Sequence, residues 1–293
     1  MSPETAATVT VACCQLELRI GDLRYNRTVT QRAVESAAQA GASIIVLPEL
    51  ASSGYAFADR VEARTLAEQA DGTTVTLWSH LAGKHSVTIV GGFCEQGRDG
   101  ALYNSAVLVN EHGRQALYRK THLWDREKTI FTPGDEAPPV VESVGHRIGI
   151  LICYDLDFAE WARTAAVGGA DLLCVPANWP DYGQLRDEHS MELVRARATA
   201  SVNHVFIAAC ARVGRERDLT WVGQSAILSP EGWILTAADL RDGERIIQAS
   251  CELATAADKQ VSDHNDLLQD RRPGLYATTA MEIAQPEIDD QAP

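Results

Sequence analysis

Short apolar runs recur along the chain and predict the strands of a sheet protein. Several runs carry apolar residues at consecutive positions, which is typical of strands covered on both faces. The predicted strands are residues 8–14, 43–47, 87–94, 105–109, 147–152, 171–175, 205–211 and 244–250.

Patterns with helical spacing lie between some of these strands. One helix is predicted from Asn26, as its N-cap, to about residue 40, and Gly41 follows it. A second covers 158–167 and ends at a glycine pair, and a third covers about 184–202. Strands that alternate with helices predict an α/β protein whose packed sheets are covered by helices. The third helix places these apolar residues on one face: Met191, Val194, Ala198 and Val202.

No linker, repeat or low-complexity tract interrupts residues 7–285. We therefore expect one domain over residues 1–285. Residues 286–293 contain three acids and two prolines with little apolar content, which predicts a mobile acidic tail.

Charge and composition exclude several classes of function. The 293 residues include 26 Lys and Arg against 40 Asp and Glu, a formal charge of −14, and 45% are hydrophobic. A negative chain without a basic patch repels phosphate, so we expect no nucleic-acid partner. No apolar run is long enough to span a membrane, and no export signal begins the sequence. The seven cysteines are scattered in apolar segments, which predicts free thiols and a cytoplasmic location.

Two charged residues stand where chemistry is expected, although each also has an ordinary explanation. Glu49 follows a buried-type strand, at the edge where α/β folds place their sites, but a lone glutamate there can simply cap a turn. Lys120 lies in segment 117–128, whose mixed polar and aromatic residues fit neither helix nor strand. The cations of this segment can equally be exposed to solvent and paired with nearby acids. We expect this segment to be a loop held by its side chains.

Cys153 ends an apolar strand just before a predicted helix. Backbone N–H groups at a helix start favour a thiolate and can also receive an oxyanion. The alternative is one more buried cysteine like Cys174 or Cys210, but polar residues follow Cys153 at once. Cleaving an unactivated C–N bond needs a nucleophile, a base and a positive group for the oxyanion. A cysteine, a glutamate and a lysine supply these three roles.

Three motifs together resemble the nitrilase (carbon-nitrogen hydrolase) superfamily, over about residues 10–276. Leu47-Pro48-Glu49-Leu50 matches its glutamate motif, Tyr118-Arg119-Lys120-Thr121-His122-Leu123 its lysine motif, and Ile152-Cys153-Tyr154-Asp155 its cysteine motif. Their order and separations are also of the family's kind. Supporting segments are Phe131-Thr132-Pro133-Gly134, Asp157-Phe158-Ala159-Glu160, Pro176-Ala177-Asn178-Trp179 and Asp270-Arg271-Arg272.

The resemblance implies a four-layer α-β-β-α sandwich and a Glu49, Lys120 and Cys153 triad. It further implies that Glu127 orients Lys120 and substrate, and the alternative is an exposed acid between two cations. We interpret His122 as packing beside Lys120 and not as a general base. Two departures are Ala159, where proline is common, and Ala200-Ser201, which replace a frequent Glu-Asn pair. Six residues are expected to bind substrate. The aromatic ones would form an apolar acyl pocket, with plain packing as the alternative. The six are Tyr55, Trp124, Tyr154, Asn178, Trp179 and Tyr182.

By resemblance, the expected reaction is hydrolysis of a small-molecule primary amide through a thioester, with no cofactor and no metal. The triad fits a nitrile or an N-carbamoyl amine equally well, and Cys153-Tyr154-Asp155 favours the amide. A scaffold protein with the same fold is a further alternative, although it would have no use for the whole triad. A homodimer is expected through helices that carry Trp161, Met191 and Val194, with ordinary core burial as the alternative for these residues.

Overall fold

The structure is a computed structural model that describes residues 8–183 and 189–276. The predicted tail, 286–293, and the first residues of the predicted third helix lie outside these ranges. The strands are β1 (Val9–Gln15), β2 (Ile44–Val46), β3 (Thr88–Gln96), β4 (Leu102–Asn110), β5 (Gly113–Arg119), β6 (Val140–Ser143), β7 (His146–Ile150), β8 (Leu172–Pro176), β9 (Phe206–Cys210), β10 (Val213–Glu216), β11 (Leu219–Val222), β12 (Ala226–Leu228), β13 (Ile234–Ala237), β14 (Arg245–Cys251), β15 (Gln260–Ser262) and β16 (Asn265–Asp266). The helices are α1 (Leu23–Gln39), α2 (Arg60–Leu66), α3 (Thr73–His85), α4 (Glu127–Ile130), α5 (Ala159–Val167) and α6 (Met191–Asn203), with 3₁₀ helices at Cys153–Asp157 and Leu253–Ala257.

Two mixed six-stranded sheets form the centre of the fold. The first sheet has the order β14-β1-β2-β3-β4-β5, and the second has the order β13-β12-β9-β8-β7-β6. Parallel pairing joins β1, β2 and β3 in the first sheet and β7, β8 and β9 in the second, and antiparallel strands extend both. The expected α/β class with two packed mixed sheets is confirmed.

Alternation along β1 shows how the sheets are buried on both faces. Val11 and Cys13 point into an apolar layer that they share with Ile148 and Cys174 of the second sheet. The residue between them, Ala12, faces the opposite way, into a cluster with side chains of α1 and α3. Alanines of α5 and α6 cover the outer face of the second sheet in the same way. The layers are therefore helix, sheet, sheet, helix, as the resemblance implies.

All eight predicted strands are present. Most of their ends lie within one or two residues of the predicted ends. The sequence did not reveal β5, whose positions are mostly half-buried or exposed because it lies at an edge of the first sheet. The interpretation of segment 117–128 as neither helix nor strand was therefore wrong in part. Strand β5 ends at Arg119, and helix α4 begins at Glu127.

One detail of the helices differs from the predictions, and another decides between two alternatives. Asp22, not Asn26, is the N-cap of α1, and its side chain accepts from Tyr25 N–H. Asn26 lies inside the helix, buried, with its amide donating to the carbonyls of Arg19 and Ser52. In α6 the face predicted to be apolar is exposed, and the buried residues are Leu193, Ala196, Thr199, Ala200 and Asn203.

Among the described residues, those up to Asp258 form one compact unit, and those from Lys259 form a second. In the described part of the second unit, β15 and β16 pair antiparallel, and Asp270 accepts from Asn265 and from the backbone of Asp266. The single domain over 1–285 stays a prediction. Among residues 8–183 and 189–276, no helix is long and apolar enough to cross a membrane.

Candidate active site

Glu49 is held by the backbone that follows β2. Leu47 N–H donates to the Val90 carbonyl of β3 at 2.8 Å, and Gly92 N–H donates to the Pro48 carbonyl at 3.1 Å. A Cβ at Gly92 would lie 2.6 Å from the Glu49 Cα, so only glycine allows this approach. The Glu49 side chain is completely buried at the end of the strand.

Lys120 directly follows β5, and its ammonium meets two buried carboxylates. Its backbone N–H donates to the Asn104 carbonyl of β4 at 2.8 Å, which extends the strand pairing by one residue. Nζ lies 2.7 Å from Glu49 Oε1 and 2.9 Å from Glu127 Oε1. Exposed fractions of 0%, 1% and 3% for Glu49, Lys120 and Glu127 show that all three charges are removed from water.

Cys153 stands at a sharp bend between β7 and a 3₁₀ helix. Its φ is +45°, in the left-handed region that residues with a Cβ rarely occupy. Such strain is typical of functional positions. Cys153 is partly exposed, and the other six cysteines, all free thiols, are buried. Its Sγ lies 3.6 Å from the Asn178 carbonyl oxygen. The sequence-based distinction between Cys153 and the buried thiols Cys174 and Cys210 agrees with this exposure.

Burial and neighbouring charges control proton affinity at these groups. Burial raises the pKa of Glu49 to about 7, and the Glu127 charge adds to this, although Lys120 and Asn104 act against it. Burial also raises the pKa of Cys153 well above its usual value, with a further contribution from Glu49 that exceeds the effect of Lys120. Burial disfavours the charge of Lys120, but Glu127 and Glu49 raise its pKa well above the usual value. The resting arrangement is therefore a neutral thiol beside a cation and a carboxylate of intermediate basicity.

The backbone N–H groups at a helix start favour a thiolate at Cys153, as the sequence indicates. Burial and Glu49 nevertheless raise the pKa of its thiol well above the usual value, and Lys120 does not offset them. Attack by the sulfur therefore needs a base that accepts its proton during the reaction.

Asn104 is a site residue that sequence reasoning missed. Its Nδ2 donates to Glu49 Oε1 at 2.7 Å and lies 3.4 Å from Glu127 Oε1, and the side chain is fully buried on β4. An amide N–H aimed at a carboxylate favours the ionised form. A buried asparagine in a strand of otherwise apolar character was the signal that could have identified it.

Tyr55 is placed beside the triad by a second buried ion pair. Its backbone N–H donates to Glu216 Oε2 at 2.9 Å, and Arg212 Nη1 lies 2.8 Å from Glu216 Oε1 with both side chains buried. Burial raises the pKa of Tyr55 well above its usual value, and Glu127 and Glu49 add to this, so its hydroxyl is a donor. The Arg212–Glu216 pair was not predicted, because an arginine four residues before a glutamate in a β-rich segment is not a specific pattern.

A cavity of about 480 Å³ opens beside Cys153. Trp124 and Tyr154, whose rings meet edge to face with centroids 4.8 Å apart, form part of its wall. Trp179 also borders it but is 1% exposed and packs mainly in the apolar core, so its packing role dominates. All six residues predicted to bind substrate line the cavity: Tyr55, Trp124, Tyr154, Asn178, Trp179 and Tyr182.

The rim of the cavity contains charges that the sequence did not single out. Met191 and Glu192 of α6 border it, with Arg195 one turn further on, and Asp157 lies 3.5 Å from the Arg195 guanidinium. A second cavity of about 250 Å³ contains Glu127 and shares Tyr55 with the first. Both open onto the same group of aromatic side chains.

His122 does not act on the Lys120 ammonium. Its Nδ1 lies 2.8 Å from Asp155 Oδ1, and its ring stacks on Phe158 with centroids 3.7 Å apart. It therefore packs between the lysine segment and the cysteine bend. Among the described residues, no group of three or more acidic, histidine or cysteine side chains could hold a metal ion.

The sequence of the chain is similar to those of known hydrolases. A family model described as carbon-nitrogen hydrolase matches residues 10–260. A nitrilase of Pyrococcus abyssi is 36% identical over 269 residues, which is 92% of this chain and 99% of that protein. An (R)-stereoselective amidase of a Pseudomonas species is 34% identical over 260 residues, which is 88% of this chain and 89% of that protein.

Solved structures show the same likeness. A variant of the amidase from Nesterenkonia sp. AN1 shows covalent addition of the acetamide moiety of fluoroacetamide at the active-site cysteine. It is 25% identical to this chain and covers 94% of it, with 97% of its own length matched and a TM-score of 0.76.

Proposed function

Because the chain belongs to the carbon-nitrogen hydrolase family of the nitrilase superfamily, we propose that it hydrolyses a small-molecule primary amide to a carboxylic acid and ammonia. The observation that carries this proposal is the Lys120 ammonium held between the buried carboxylates of Glu49 and Glu127, next to Cys153, the one partly exposed residue among the seven cysteines.

In the first half of the reaction, Glu49 accepts the proton of Cys153 while the sulfur attacks the amide carbonyl carbon. The carbonyl π bond becomes an oxyanion, which Lys120 Nζ and the backbone N–H of Tyr154 stabilise. The tetrahedral adduct then collapses, and its C–N bond breaks. Glu49 returns the proton to the leaving nitrogen, so that ammonia departs and a thioester remains.

In the second half, Glu49 takes a proton from water as the water oxygen attacks the thioester. Collapse of this second adduct breaks the C–S bond, and the proton on Glu49 returns to the sulfur. The carboxylic acid leaves, and the enzyme is regenerated. A carboxylate with a pKa of about 7 suits both directions of proton transfer at neutral pH.

Glu127 supports the reaction through Lys120. Its Oε1 accepts from Nζ at 2.9 Å, and its Oε2 accepts from Trp124 N–H at 2.9 Å. The carboxylate therefore connects the lysine to the loop that carries an aromatic wall of the cavity. Removal of Glu127 would leave the ammonium with one carboxylate and free Trp124 to move.

The acyl part of the substrate would occupy the cavity of about 480 Å³. Its aromatic wall favours an apolar group of moderate size. Nitriles and N-carbamoyl amines are the alternative substrates, because both present an electrophilic carbon bonded to nitrogen. The similarity to an (R)-stereoselective amidase and to the acetamide-modified amidase supports the amide.

A substrate panel tests the choice between these classes. Matched nitriles, amides and N-carbamoyl amines that share each acyl or amine part would be compared by ammonia release. We expect the amides to give the largest kcat/KM. Ammonia from the nitriles with none from the matching amides would reverse the assignment.

The covalent step is tested by substitution of the nucleophile. Cys153→Ala should reduce kcat by at least about 10³-fold, since no other group can form the thioester. Cys174→Ala, which alters a buried thiol in the core between the sheets, should keep most of the activity. Retained activity in folded Cys153→Ala would contradict the mechanism. In the native protein, iodoacetamide should label Cys153 well before Cys174.

Two further assignments accompany this function. We propose a homodimer that pairs through α5 and α6, on which Val167, Val194 and Val202 are exposed apolar side chains. The indole N–H of Trp161 is used within the protomer, where it donates to the Tyr118 hydroxyl at 2.8 Å. A cytoplasmic location is supported by the seven free thiols, which suit a reducing compartment.

A further inference from the structure

Asp155 is a fully buried carboxylate that does not line the substrate cavity. In the part of the chain that the structure describes, its hydrogen bonds go to residues other than the triad. The reaction proposed above gives it no proton to move and no charge to stabilise. A buried charge without such a role still needs donors, because its removal from water is costly.

Four donors surround this carboxylate. Oδ2 accepts from the backbone N–H of Ile152 at 3.0 Å and from the Tyr118 hydroxyl at 2.7 Å. Oδ1 accepts from the backbone N–H of His122 at 3.2 Å and lies 2.8 Å from the ring Nδ1 of the same residue. Each oxygen is therefore satisfied by one backbone and one side-chain donor.

The partners of Asp155 flank two members of the triad. Ile152 immediately precedes Cys153, and Tyr118 and His122 lie two residues to either side of Lys120. One side chain thus joins the backbone of the cysteine bend to the backbone of the lysine segment, two pieces of chain that follow strands of different sheets.

Asp155 also closes the bend itself. Its own backbone N–H donates to the Ile152 carbonyl at 3.0 Å, in addition to the bond from Ile152 N–H to its side chain. These two bonds enclose Cys153 and Tyr154. Cys153 keeps its unfavourable φ of +45° inside this closed turn.

We propose that Asp155 is a positioning residue that sets the separation between the Cys153 thiol and the Lys120 ammonium. The inference depends on the proposed function, in which both groups act on the same carbonyl. A small displacement of reacting groups is enough to reduce the rate greatly. Asparagine has the shape of aspartate but cannot replace Asp155. Whichever oxygen its NH₂ group replaced, that group would face a backbone N–H, either that of Ile152 or that of His122.

The test compares Asp155→Asn with a matched control far from the site. We expect Asp155→Asn to lower kcat by roughly 10–100-fold with KM within about twofold, and to slow alkylation of Cys153 by iodoacetamide in parallel. The control is Thr88→Val, which removes a buried hydrogen bond of 2.6 Å between Thr88 and Ser143. It should lower the melting temperature and leave kcat and the alkylation rate unchanged.

Two results would overturn the proposal. One is a folded Asp155→Asn protein that loses thermal stability as Thr88→Val does but keeps the wild-type kcat and alkylation rate. The other is an increase in KM without a change in kcat, which would assign Asp155 to substrate binding. If Asp155→Asn does not fold, Tyr118→Phe decides, because it removes one donor and leaves the carboxylate. Its kcat should fall several-fold, and a wild-type kcat would refute the inference.

The alkylation readout separates this inference from the proposed function. It reports the reactivity of Cys153 without any turnover. If the wild-type protein released no ammonia from any amide but Cys153 alkylation still slowed in Asp155→Asn, the proposed reaction would fail and the role of Asp155 would stand.

Discussion

In the proposed mechanism, the balance of burial and charge around Glu49 determines when the site can react. The Cys153 thiol stays protonated through the neutral range, so its reactivity depends on an ionised Glu49. A lysine near a cysteine is usually read as a thiolate stabiliser, but at this site the cation is shared with two carboxylates at 2.7 and 2.9 Å. The lysine is therefore better suited to an oxyanion that appears during the reaction.

The pH dependence of kcat/KM follows from the raised pKa of Glu49. Below a pH of about 7 the base becomes protonated and cannot accept the thiol proton. We expect kcat/KM to fall about tenfold per pH unit on the acid side, with an apparent pKa near 7. Initial rates at subsaturating amide across pH 5–9 measure this. An acid limb near the ordinary glutamate pKa would contradict the role of Glu49.

Substitution of Asn104 should move this acid limb. The Asn104 amide donates to Glu49 and lowers its pKa, so Asn104→Ala should raise the apparent pKa of kcat/KM by about one unit. Asn110→Ala is the control on the same strand, since Asn110 caps a turn through His112 N–H. It should leave the profile unchanged. An unshifted acid limb in Asn104→Ala would show that the amide does not tune the base.

At the scale of elements, the ends of strands from both sheets supply the groups that are proposed to react. Glu49 follows β2 of the first sheet, Cys153 follows β7 of the second, and Lys120 follows the edge strand β5. Each strand end is kept in place by a tight backbone contact with its neighbour. The close approach of Gly92 to Glu49 is one such contact.

A methyl group at Gly92 should therefore displace the base. We expect Gly92→Ala to lower kcat/KM by at least about 10²-fold and to reduce stability, because its Cβ would overlap the backbone at Glu49 and Leu50. Gly83→Ala on α3 is the control, since a Cβ there meets open space. It should stabilise the helix by about 1 kcal/mol and leave kcat/KM unchanged. Thermal unfolding and amide kinetics on both variants decide.

Helix α6 shows that an apolar face predicted from sequence can have two meanings. The spacing of Met191, Val194 and Val202 predicts an apolar face for pairing or for the core, and exposed fractions of 55%, 41% and 50% exclude the core within one chain. The face that packs on the second sheet combines Leu193 with smaller residues, among them Ala196 and Ala200. Alanines allow close helix-to-sheet approach but hardly stand out in a pattern of large apolar residues.

At the scale of the whole molecule, this exposed face is the surface proposed to pair two protomers. Val194→Glu with Val202→Glu should convert the protein from dimer to monomer, because two buried carboxylates per protomer would lose hydration at the interface. Val61→Glu, at a side chain 71% exposed on α2, is the control and should not change the mass. Light scattering after size exclusion measures both. A wild-type protein that is already monomeric would refute the pairing.

The sequence by itself determined eight of the strands, the α/β class and the identity of Glu49, Lys120 and Cys153 as candidates. Apolar periodicity reports burial along one segment, and a reactive side chain at a strand end is visible without coordinates. These signals are local, so the sequence can carry them.

Only the tertiary structure decided how these residues affect one another. The raised pKa of Glu49, the neutral state of Cys153, the contact of Asn104 and the bridge through Asp155 all depend on atoms from segments distant in the chain. Electrostatic and hydrogen-bonding energies vary with distance and desolvation, and neither quantity can be read from the spacing of residues along one polypeptide. The folded sandwich determines both the distances and the desolvation, because it brings strand ends of two sheets to one buried place.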